Sequence, residues 1–268
     1  MDDAETPGGD VEPRGAASAA FDAVKGQLGR LEGLLNLPGR AMTEVEDRFV
    51  PAWRRRTDGE SRWAASLAVC VVVGLQVSLP RSLEFPPRWL LPAVGSVLLI
   101  GLLVADPRVD DRRESGLHAT SIVLTGLMSL ANAVSAGRLI KLLLDRHVAT
   151  EAGLLLRWGG AIWVANVVVF ALWYWDLDRG GPAARAKAER PYPDLLFPQM
   201  ADPETAPADW EPTFVDYLYT AFTTSTAFSP TDVLPLARWA KMTMLLQTLV
   251  SIATVVLVVA RAVNILGA

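Results

Sequence analysis

A run of hydroxyl side chains near the C-terminus carries the residues of this chain that are best suited to chemistry. From Tyr219 to Leu236 the sequence reads YTAFTTSTAFSPTDVLPL. Hydroxyl and carboxylate oxygens along a narrow path can replace part of the water shell of a permeating ion or solute. The candidates for lining a pore or a turn are therefore Thr224, Thr226, Ser229, Thr231 and Asp232.

A second set consists of strongly polar residues inside apolar segments. Such groups are costly in hydrocarbon, so we expect each of them to face a partner helix or water. The set is Asn132, Asn166, Gln247, Ser251 and Thr254. Two interpretations stay open: these side chains line a cavity together with the threonines, or they give hydrogen-bond partners to backbone inside the membrane. For Asn132 we favour a hydrogen bond across a seam of small residues between helices over a place in a solute path.

Several function classes lack their usual signals. The apolar segments contain no paired catalytic carboxylates, no His/Cys cluster and no Ser/His arrangement, which predicts that the protein is not an enzyme and has no catalytic residues. There is one cysteine, no zinc-type spacing and no glycine-rich phosphate loop, so we expect neither a metal nor a cofactor. The net charge of −4 and the absence of a basic stripe indicate no nucleic-acid partner.

The elements that must position these residues are long apolar segments. Apolar residues make up 51% of the 268 residues and are concentrated in blocks. A helix needs about 20 largely apolar residues to cross the hydrocarbon core of a bilayer. Five segments are predicted as spans: residues 63–79, 89–105, 119–144, 153–175 and 239–266. Tryptophans lie at their ends, where an indole favours the headgroup level.

The segment before the last span is different. FVDYLYTAFTTSTAF is about 15 residues long, too short to cross, and the SPTD that follows stops a helix and turns the chain. A short helix, a polar turn and a full span together indicate a re-entrant loop. The predicted fold is therefore all-α: a polytopic membrane helix bundle of five transmembrane helices with one re-entrant, pore-loop-like helix.

Four regions follow from this pattern. Residues 1–62 are predicted to be a cytoplasmic tail, partly disordered, with a short amphipathic helix that starts near Phe21. Residues 63–175 form a bundle of four spans, residues 176–211 form a polar loop, and residues 212–268 hold the re-entrant turn and the final span.

The C-terminal third resembles the pore module of potassium channels. Phe222, Thr224 and Thr226 match the aromatic and threonine-rich pore helix, and Asp232 and Pro235 match the D-x-x-P that follows the filter. The resemblance implies an outer helix, a pore helix, a turn and an inner helix. It also implies several copies around one axis, so a homo-oligomer is expected.

The filter itself departs from that family. Ala227, Phe228, Ser229, Pro230 and Thr231 stand where T-V-G-Y-G would lie. Aiming successive carbonyls at one axis requires left-handed backbone angles that glycine reaches at little steric cost, and proline fixes its own φ. A selective potassium filter is therefore excluded, whereas a wider pore lined by hydroxyls is compatible with the sequence.

Most of the chain is similar to a bacterial family of uncharacterised multi-spanning membrane proteins that carry a domain of unknown function. The similarity rests on VVVGLQVSLPRSL, AFTTSTAFSPTDV and VARAVNIL, and it covers most of residues 63–268. It implies the membrane fold and a multi-pass location in the bacterial inner membrane, and it implies no activity.

Charge at the span ends predicts the orientation. Most of the lysines and arginines near these ends lie on the side of the N-terminus and the re-entrant turn, which places both in the cytoplasm. A potassium channel has its filter on the other side, so the charge pattern disfavours a channel of that kind. The lipid bilayer is the one certain partner, and a protein partner of the tail is not identified by the sequence.

Three functions are compatible with these features. The first is a membrane protein of unknown activity with an ion-channel-like module, acting as a non-selective or solute-conducting pore. The alternative is a non-conducting membrane scaffold or accessory subunit that binds a partner through its tail. A membrane-embedded enzyme has the least support.

Overall fold

The computed structural model describes residues 23–27, 50–61, 63–84, 87, 93, 95–96, 111–145, 151–202, 206–226 and 232–266. The chain divides into two compact units, Met1–Val50 and Pro51–Ala268. In the first unit the structure describes Val50 and an exposed helical turn at residues 23–27, within the predicted amphipathic helix. Everything below concerns the second unit.

The described part of this unit is mostly helical, and the prediction of an all-α protein is confirmed. Its helices and two short strands are α1 (Trp63–Ser78), α2 (Asp111–Leu144), α3 (Ala152–Leu177), α4 (Pro182–Ala186), β1 (Leu195–Leu196), α5 (Pro198–Ala201), α6 (Phe214–Thr226), β2 (Leu234–Pro235) and α7 (Arg238–Leu266). Short 3₁₀ turns occur at Ala52–Arg54 and Asp178–Gly180.

Three of these helices are long and apolar enough to cross a membrane: Gly116–Leu144, Ala152–Gly180 and Arg238–Leu266. The chain thus has the helices of a multi-span membrane protein. Helix α1 is apolar but shorter than these three, and the predicted span at 89–105 lies almost wholly outside the described residues. The count of five spans therefore stays a prediction.

Helix α3 is the centre of the bundle. In the most apolar window of each long helix, 56% of α3 is buried, against 39% for α2 and 22% for α7. The reason is in its sequence, because small and β-branched residues from Ala165 to Ala171 let neighbours approach on all sides. Helices α1, α2, α6 and α7 all pack against it.

The end of α3 is set by backbone geometry. Arg179, Gly180 and Gly181 have positive φ angles of 51°, 86° and 95°. Glycine adopts this left-handed region without steric cost, so the two glycines stop the helix and redirect the chain. At Gly181 an added Cβ would lie 2.9 Å from the Asp176 carbonyl oxygen, which shows how closely the turn folds back on the helix.

Helices α3 and α7 run antiparallel. Tyr174 bonds Gln247 and Asn166 bonds Ser251, and nearer the start of α3 a Cβ at Gly159 would meet Val258 at 2.7 Å. Later residues of one helix pair with earlier residues of the other. Helix α7 therefore begins at the end of the bundle where α3 finishes.

Candidate functional site

Helix α6, which carries the hydroxyl-rich sequence, begins beside the last turn of α3. The Asp216 carboxylate accepts hydrogen bonds from the backbone N–H and the hydroxyl of Thr213, both 2.8 Å long, in the manner of a capping box. The Glu60 carboxylate accepts from the Phe214 N–H at 2.8 Å and from the Trp175 indole N–H at 2.8 Å. One acidic side chain thus satisfies the start of α6 and fixes it to α3.

From this start α6 runs along α3 toward the middle of the bundle. The ring of Phe222 packs edge-on against Trp163, with 5.7 Å between ring centroids. At a rise of 1.5 Å per residue, Trp163 lies about 20 Å along α3 from its last residue, Leu177. The C-terminal half of α6 therefore lies beside the interior of a helix that is long enough to span a membrane.

The chain then returns to the end of the bundle from which α6 started. Strand β2 pairs antiparallel with β1, with Leu195 opposite Pro235 and Leu196 opposite Leu234. The Leu195 N–H in turn donates to the Asp178 carboxylate at 3.2 Å, directly after α3. Residues 214–235 thus begin and end at the same end of α3.

The predicted pore-lining residues have different surroundings. Thr224 is buried, and its hydroxyl donates to the Thr220 carbonyl at 2.7 Å. Half-buried Thr226 donates to the Thr223 carbonyl at 2.8 Å. Both hydroxyls therefore bond the backbone of their own helix. Asp232 is exposed, and Ser229 and Thr231 lie outside the described residues.

The polar residues predicted inside the spans are all buried, and several of them meet. The amide of Asn166 donates to the Ser251 hydroxyl at 3.0 Å. Gln247 Nε2 donates to the Ala221 carbonyl and to the Ser225 hydroxyl, both at 2.7 Å, and Gln247 Oε1 accepts from Tyr174. Gln247 thus supplies partners for α6, which is the second of the two roles that the sequence left open.

The remaining two polar residues lie apart from this group. Asn132 Oδ1 accepts from Gln76 at 3.5 Å, and the Gln76 amide oxygen accepts from Ser135 at 3.2 Å, so these side chains link α1 to α2. Thr254 donates within α7 to the Val250 carbonyl at 2.8 Å. Asn132 therefore bonds across a helix–helix contact, and the seam of small residues around it stays a prediction.

A buried carboxylate just after α3 organises the connection to α6. Asp178 is fully buried, and its Oδ1 accepts from the backbone N–H groups of Asp194 and Leu195. Its Oδ2 accepts from the Tyr217 hydroxyl at 2.7 Å. Burial raises the pKa of the Tyr217 phenol well above its ordinary value, so this hydroxyl keeps its proton and remains a donor.

Two buried arginines complete this network. Arg185 donates to the Trp175 and Asp178 carbonyls at 2.6 and 3.0 Å and lies over the Tyr217 ring. It therefore satisfies carbonyls at the C-terminus of α3, where the helix dipole favours a cation. Arg179 donates to the Trp53 carbonyl, and its Nε lies 4.0 Å from Asp178.

These contacts define what we call the cap: residues 51–61, 178–202 and 206–213. Residues 51–61, predicted as the end of the tail, belong to it, since the Thr57 N–H bonds the Ala186 carbonyl at 2.9 Å and the Thr57 hydroxyl bonds Glu211 at 2.9 Å. Residues 178–202, predicted as part of a polar loop, fold over the end of the bundle around Asp178.

A cavity opens between the cap and helices α1, α2 and α3. Its volume is about 680 Å³. Asp176, Ser121 and His118 lie on its wall, together with Arg56 and Lys187 from the cap. It is separate from the hydroxyl-rich helix α6, none of whose described residues lines it.

Sequence reasoning missed the cap and this cavity. The stretch DLDRGGPAARAKAER, which contains Arg179 and Arg185, is polar and favours a solvated loop. One signal was available in principle. Asp176 and Asp178 follow the apolar run of α3 without a break, and carboxylates so close to a span are expected to be paired or functional.

No family model, curated protein or solved structure matches the chain. The resemblances to potassium-channel pore modules and to the uncharacterised bacterial family stay predictions. Among the residues that the structure describes, no group of three or more His, Cys, Asp or Glu side chains is placed to hold a metal ion.

Proposed function

We propose that this protein is a multi-pass protein of the bacterial inner membrane with a pore-loop-like module built from α3, α6 and α7. In this proposal α6 is a re-entrant helix, and the module forms a non-selective or solute-conducting pore. The observation that carries the proposal is the path of residues 214–235, which leave one end of α3, run beside its interior and return to that end.

The bonds around α6 support its place within the membrane. Thr248 and Gln247 of α7 donate to the carbonyls of Thr224 and Ala221 in α6. Backbone that ends at membrane depth must find partners in protein, because lipid offers none. Helix α7 gives the α6 backbone such partners. In addition, Trp163 of α3 packs against Phe222 of α6.

The same sequence argues against a selective potassium filter. Ser229, Pro230 and Thr231 stand in the positions where the channel family has its glycines and its tyrosine. A ring of carbonyls aimed at one axis needs backbone angles that these residues disfavour. The proposed path is accordingly wider and lined by hydroxyl groups.

The charge distribution supports an orientation with the cap in the cytoplasm. Arg54, Arg55, Arg56 and Lys187 lie in the cap, and Arg238 begins α7 at the same end of the bundle. Positive charge at the span ends favours the cytoplasmic side. The C-terminal end of α7 is then on the opposite side of the membrane.

A homo-oligomer is part of the proposal because one copy encloses no axial path. Helix α7 is the least buried of the three candidate spans. Its outer face is apolar and consists of Leu245, Leu246, Leu249, Ile252, Val256, Val259 and Val263. In a ring of copies this face and α6 would surround the axis.

Flux through reconstituted protein tests the proposal. Purified protein in liposomes should pass monovalent cations without strong selectivity, and Thr226→Leu should reduce this flux because it replaces a hydroxyl with a larger apolar side chain at the C-terminal end of α6. Thr243→Leu is the matched control, since Thr243 is half-buried on α7 and its hydroxyl also bonds its own helix, at 2.8 Å. Equal loss of flux in both variants would contradict a role specific to the turn.

The second candidate function is a non-conducting scaffold or accessory subunit. It is favoured by the hydroxyls of Thr224 and Thr226, which bond their own helix, and by Gln247, which is fully occupied within one copy. Absence of flux at every voltage, together with loss of a co-purifying protein on deletion of residues 1–49, would support it. The deletion ends before Pro51 because residues 51–61 belong to the cap.

A further inference from the structure

The wall of the cavity beneath the cap includes one carboxylate inside a candidate span. Asp176 lies in the last turns of α3 and is 1% exposed. The hydroxyl of Ser121 donates to its Oδ2 at 2.7 Å, and that of Thr125 donates to the same oxygen at 3.4 Å. Neither hydrogen bond reaches Oδ1, and among the described residues no cation lies within ion-pair distance of this carboxylate.

An ionised carboxylate at this depth is costly unless a cation or several donors reach it. The two hydroxyl groups that donate to Oδ2 offset only part of this cost. The titratable groups that face Asp176 from neighbouring elements are His118 of α2 and Arg185 of α4, and Arg185 is already bonded to two backbone carbonyls. A protonated amine in the cavity would supply the missing positive charge.

The cap side of the cavity has the opposite charge. Arg56, which is exposed, and Lys187, which is half-buried, both line it and can attract an anionic group. The exposed Glu189 also lines the cavity and offsets part of this positive charge. A ligand with only a positive charge would be repelled by the two cations. A ligand with only a negative charge would be repelled by the Asp176 carboxylate.

Most of the remaining wall residues are apolar. Val69 of α1, Leu124 of α2 and Leu172 of α3 line the cavity, and Trp175 adds an aromatic surface. At about 680 Å³ the space accommodates a small organic molecule.

We propose that this cavity binds a compact zwitterion, with its primary ammonium group at Asp176, its anionic group at Arg56 and Lys187, and an apolar portion against the helices. Free amino acids and the headgroup of phosphatidylethanolamine both have this chemistry. The site does not involve α6, so the proposal stands apart from conduction.

Calorimetric titration of the full-length protein in phosphatidylglycerol nanodiscs tests the proposal with three matched probes. L-leucine carries both charges, 3-methylbutylamine lacks the carboxylate, and 4-methylpentanoate lacks the amine. We expect leucine to bind most tightly, the amine more weakly and the acid not at all. In Asp176→Asn, which keeps an acceptor for Ser121 and Thr125, the affinity for leucine should fall about tenfold or more.

A second variant tests the other end of the ligand. Arg56→Gln combined with Lys187→Gln should weaken leucine binding several-fold and leave the affinity for 3-methylbutylamine unchanged or higher. Because both side chains lie in the cap, away from the bundle core, this variant keeps the proposal testable if Asp176→Asn fails to fold. Asp232→Asn, which alters an exposed carboxylate outside the cavity, should bind leucine like the wild type.

The two sources of the zwitterion are separated by lipid composition. If the ligand is a headgroup, phosphatidylethanolamine in the nanodiscs should compete with leucine, and the wild type should retain this lipid on purification whereas Asp176→Asn should not. If the ligand is a free solute, leucine binding should be independent of the lipid. The proposal is overturned if neither leucine nor phosphatidylethanolamine binds, if Asp176→Asn binds as the wild type does, or if 4-methylpentanoate binds as well as leucine.

Discussion

The side-chain nitrogen of Gln247 lies 2.7 Å from the carbonyl oxygen of Ala221, and this contact ties the last span to the hydroxyl-rich helix α6. The same amide also bonds the Ser225 hydroxyl and accepts from Tyr174 of α3. One fully buried side chain therefore holds three helices together.

Replacement of this side chain should be costly. In Gln247→Leu the buried partners on α3 and α6 lose the hydrogen bonds that Gln247 makes to them, and we expect a loss of about 2–4 kcal/mol in the free energy of unfolding. Reversible denaturation in detergent measures it. Leu246→Ala, on the exposed face of α7, should change stability far less. If Tyr174→Phe costs as much in the Gln247→Leu background as in the wild type, the two residues are not coupled and the contact is not as described.

The hydroxyl of Tyr217 should contribute more to the stability of the cap than the hydroxyl of Tyr219 does. Tyr217→Phe removes a buried donor to Asp178 and should destabilise the cap by about 1–2 kcal/mol. Because Leu195 in the cap is fully buried, chymotrypsin cleavage between Leu195 and Leu196 reports on cap opening. We expect faster cleavage in Tyr217→Phe. Tyr219 is 56% exposed, so Tyr219→Phe should be cleaved at the wild-type rate, and equal effects of the two variants would argue against the Asp178 network.

Two adjacent glycines in α3 offer a matched test of helix packing. A Cβ at Gly159 would lie 2.7 Å from Val258 of α7, whereas a Cβ at Gly160 meets nothing within 4 Å. Valine is stiff at χ1, so Gly159→Ala should cost about 1–3 kcal/mol in stability. Gly160→Ala should be neutral or stabilising, because alanine favours the helix. Val258→Ala should restore part of the loss, and a loss in Gly160→Ala alone would contradict the packing.

Cysteine labelling tests the return of the chain after α6. In a Cys70→Ala background, Val215→Cys and Leu234→Cys place thiols at exposed positions at the two ends of residues 214–235, and Leu266→Cys places one at the far end of α7. A membrane-impermeant maleimide should label the first two from one side of the membrane and the third from the other. Labelling of positions 215 and 234 from opposite sides would mean that this segment crosses the bilayer.

The sequence predicted the long helices well, because their signal is local. The predicted segment at 153–175 is close to α3 (Ala152–Leu177), and the segment at 239–266 is close to α7 (Arg238–Leu266). Length and apolar content determine such boundaries. In the same way, the cost of polar groups in hydrocarbon singled out Gln247 and Asn166 before any partner was known.

The partners themselves were beyond local reasoning. Tyr217 and Asp178 are 39 residues apart in sequence, and Glu60 and Phe214 are 154 apart. The local sequence around these residues therefore does not indicate that they are in contact. The charges of residues 178–202 favour solvation, although Asp178, Arg179 and Arg185 are buried and Arg185 donates to the carbonyl of Trp175 in α3. Burial of Arg179 and Arg185 is a property of the folded bundle and has no signature in composition.

The donors to Asp178 also impose an order on biosynthesis. Asp178 emerges from the ribosome before Asp194, Leu195 and Tyr217, the residues that supply its hydrogen bonds. Until those residues are translated, only water can supply donors to the Asp178 carboxylate. The end of α3 must therefore stay at the membrane surface and cannot move into the hydrocarbon. The nascent protein therefore completes this end of the bundle only when the segment up to Tyr217 has been made.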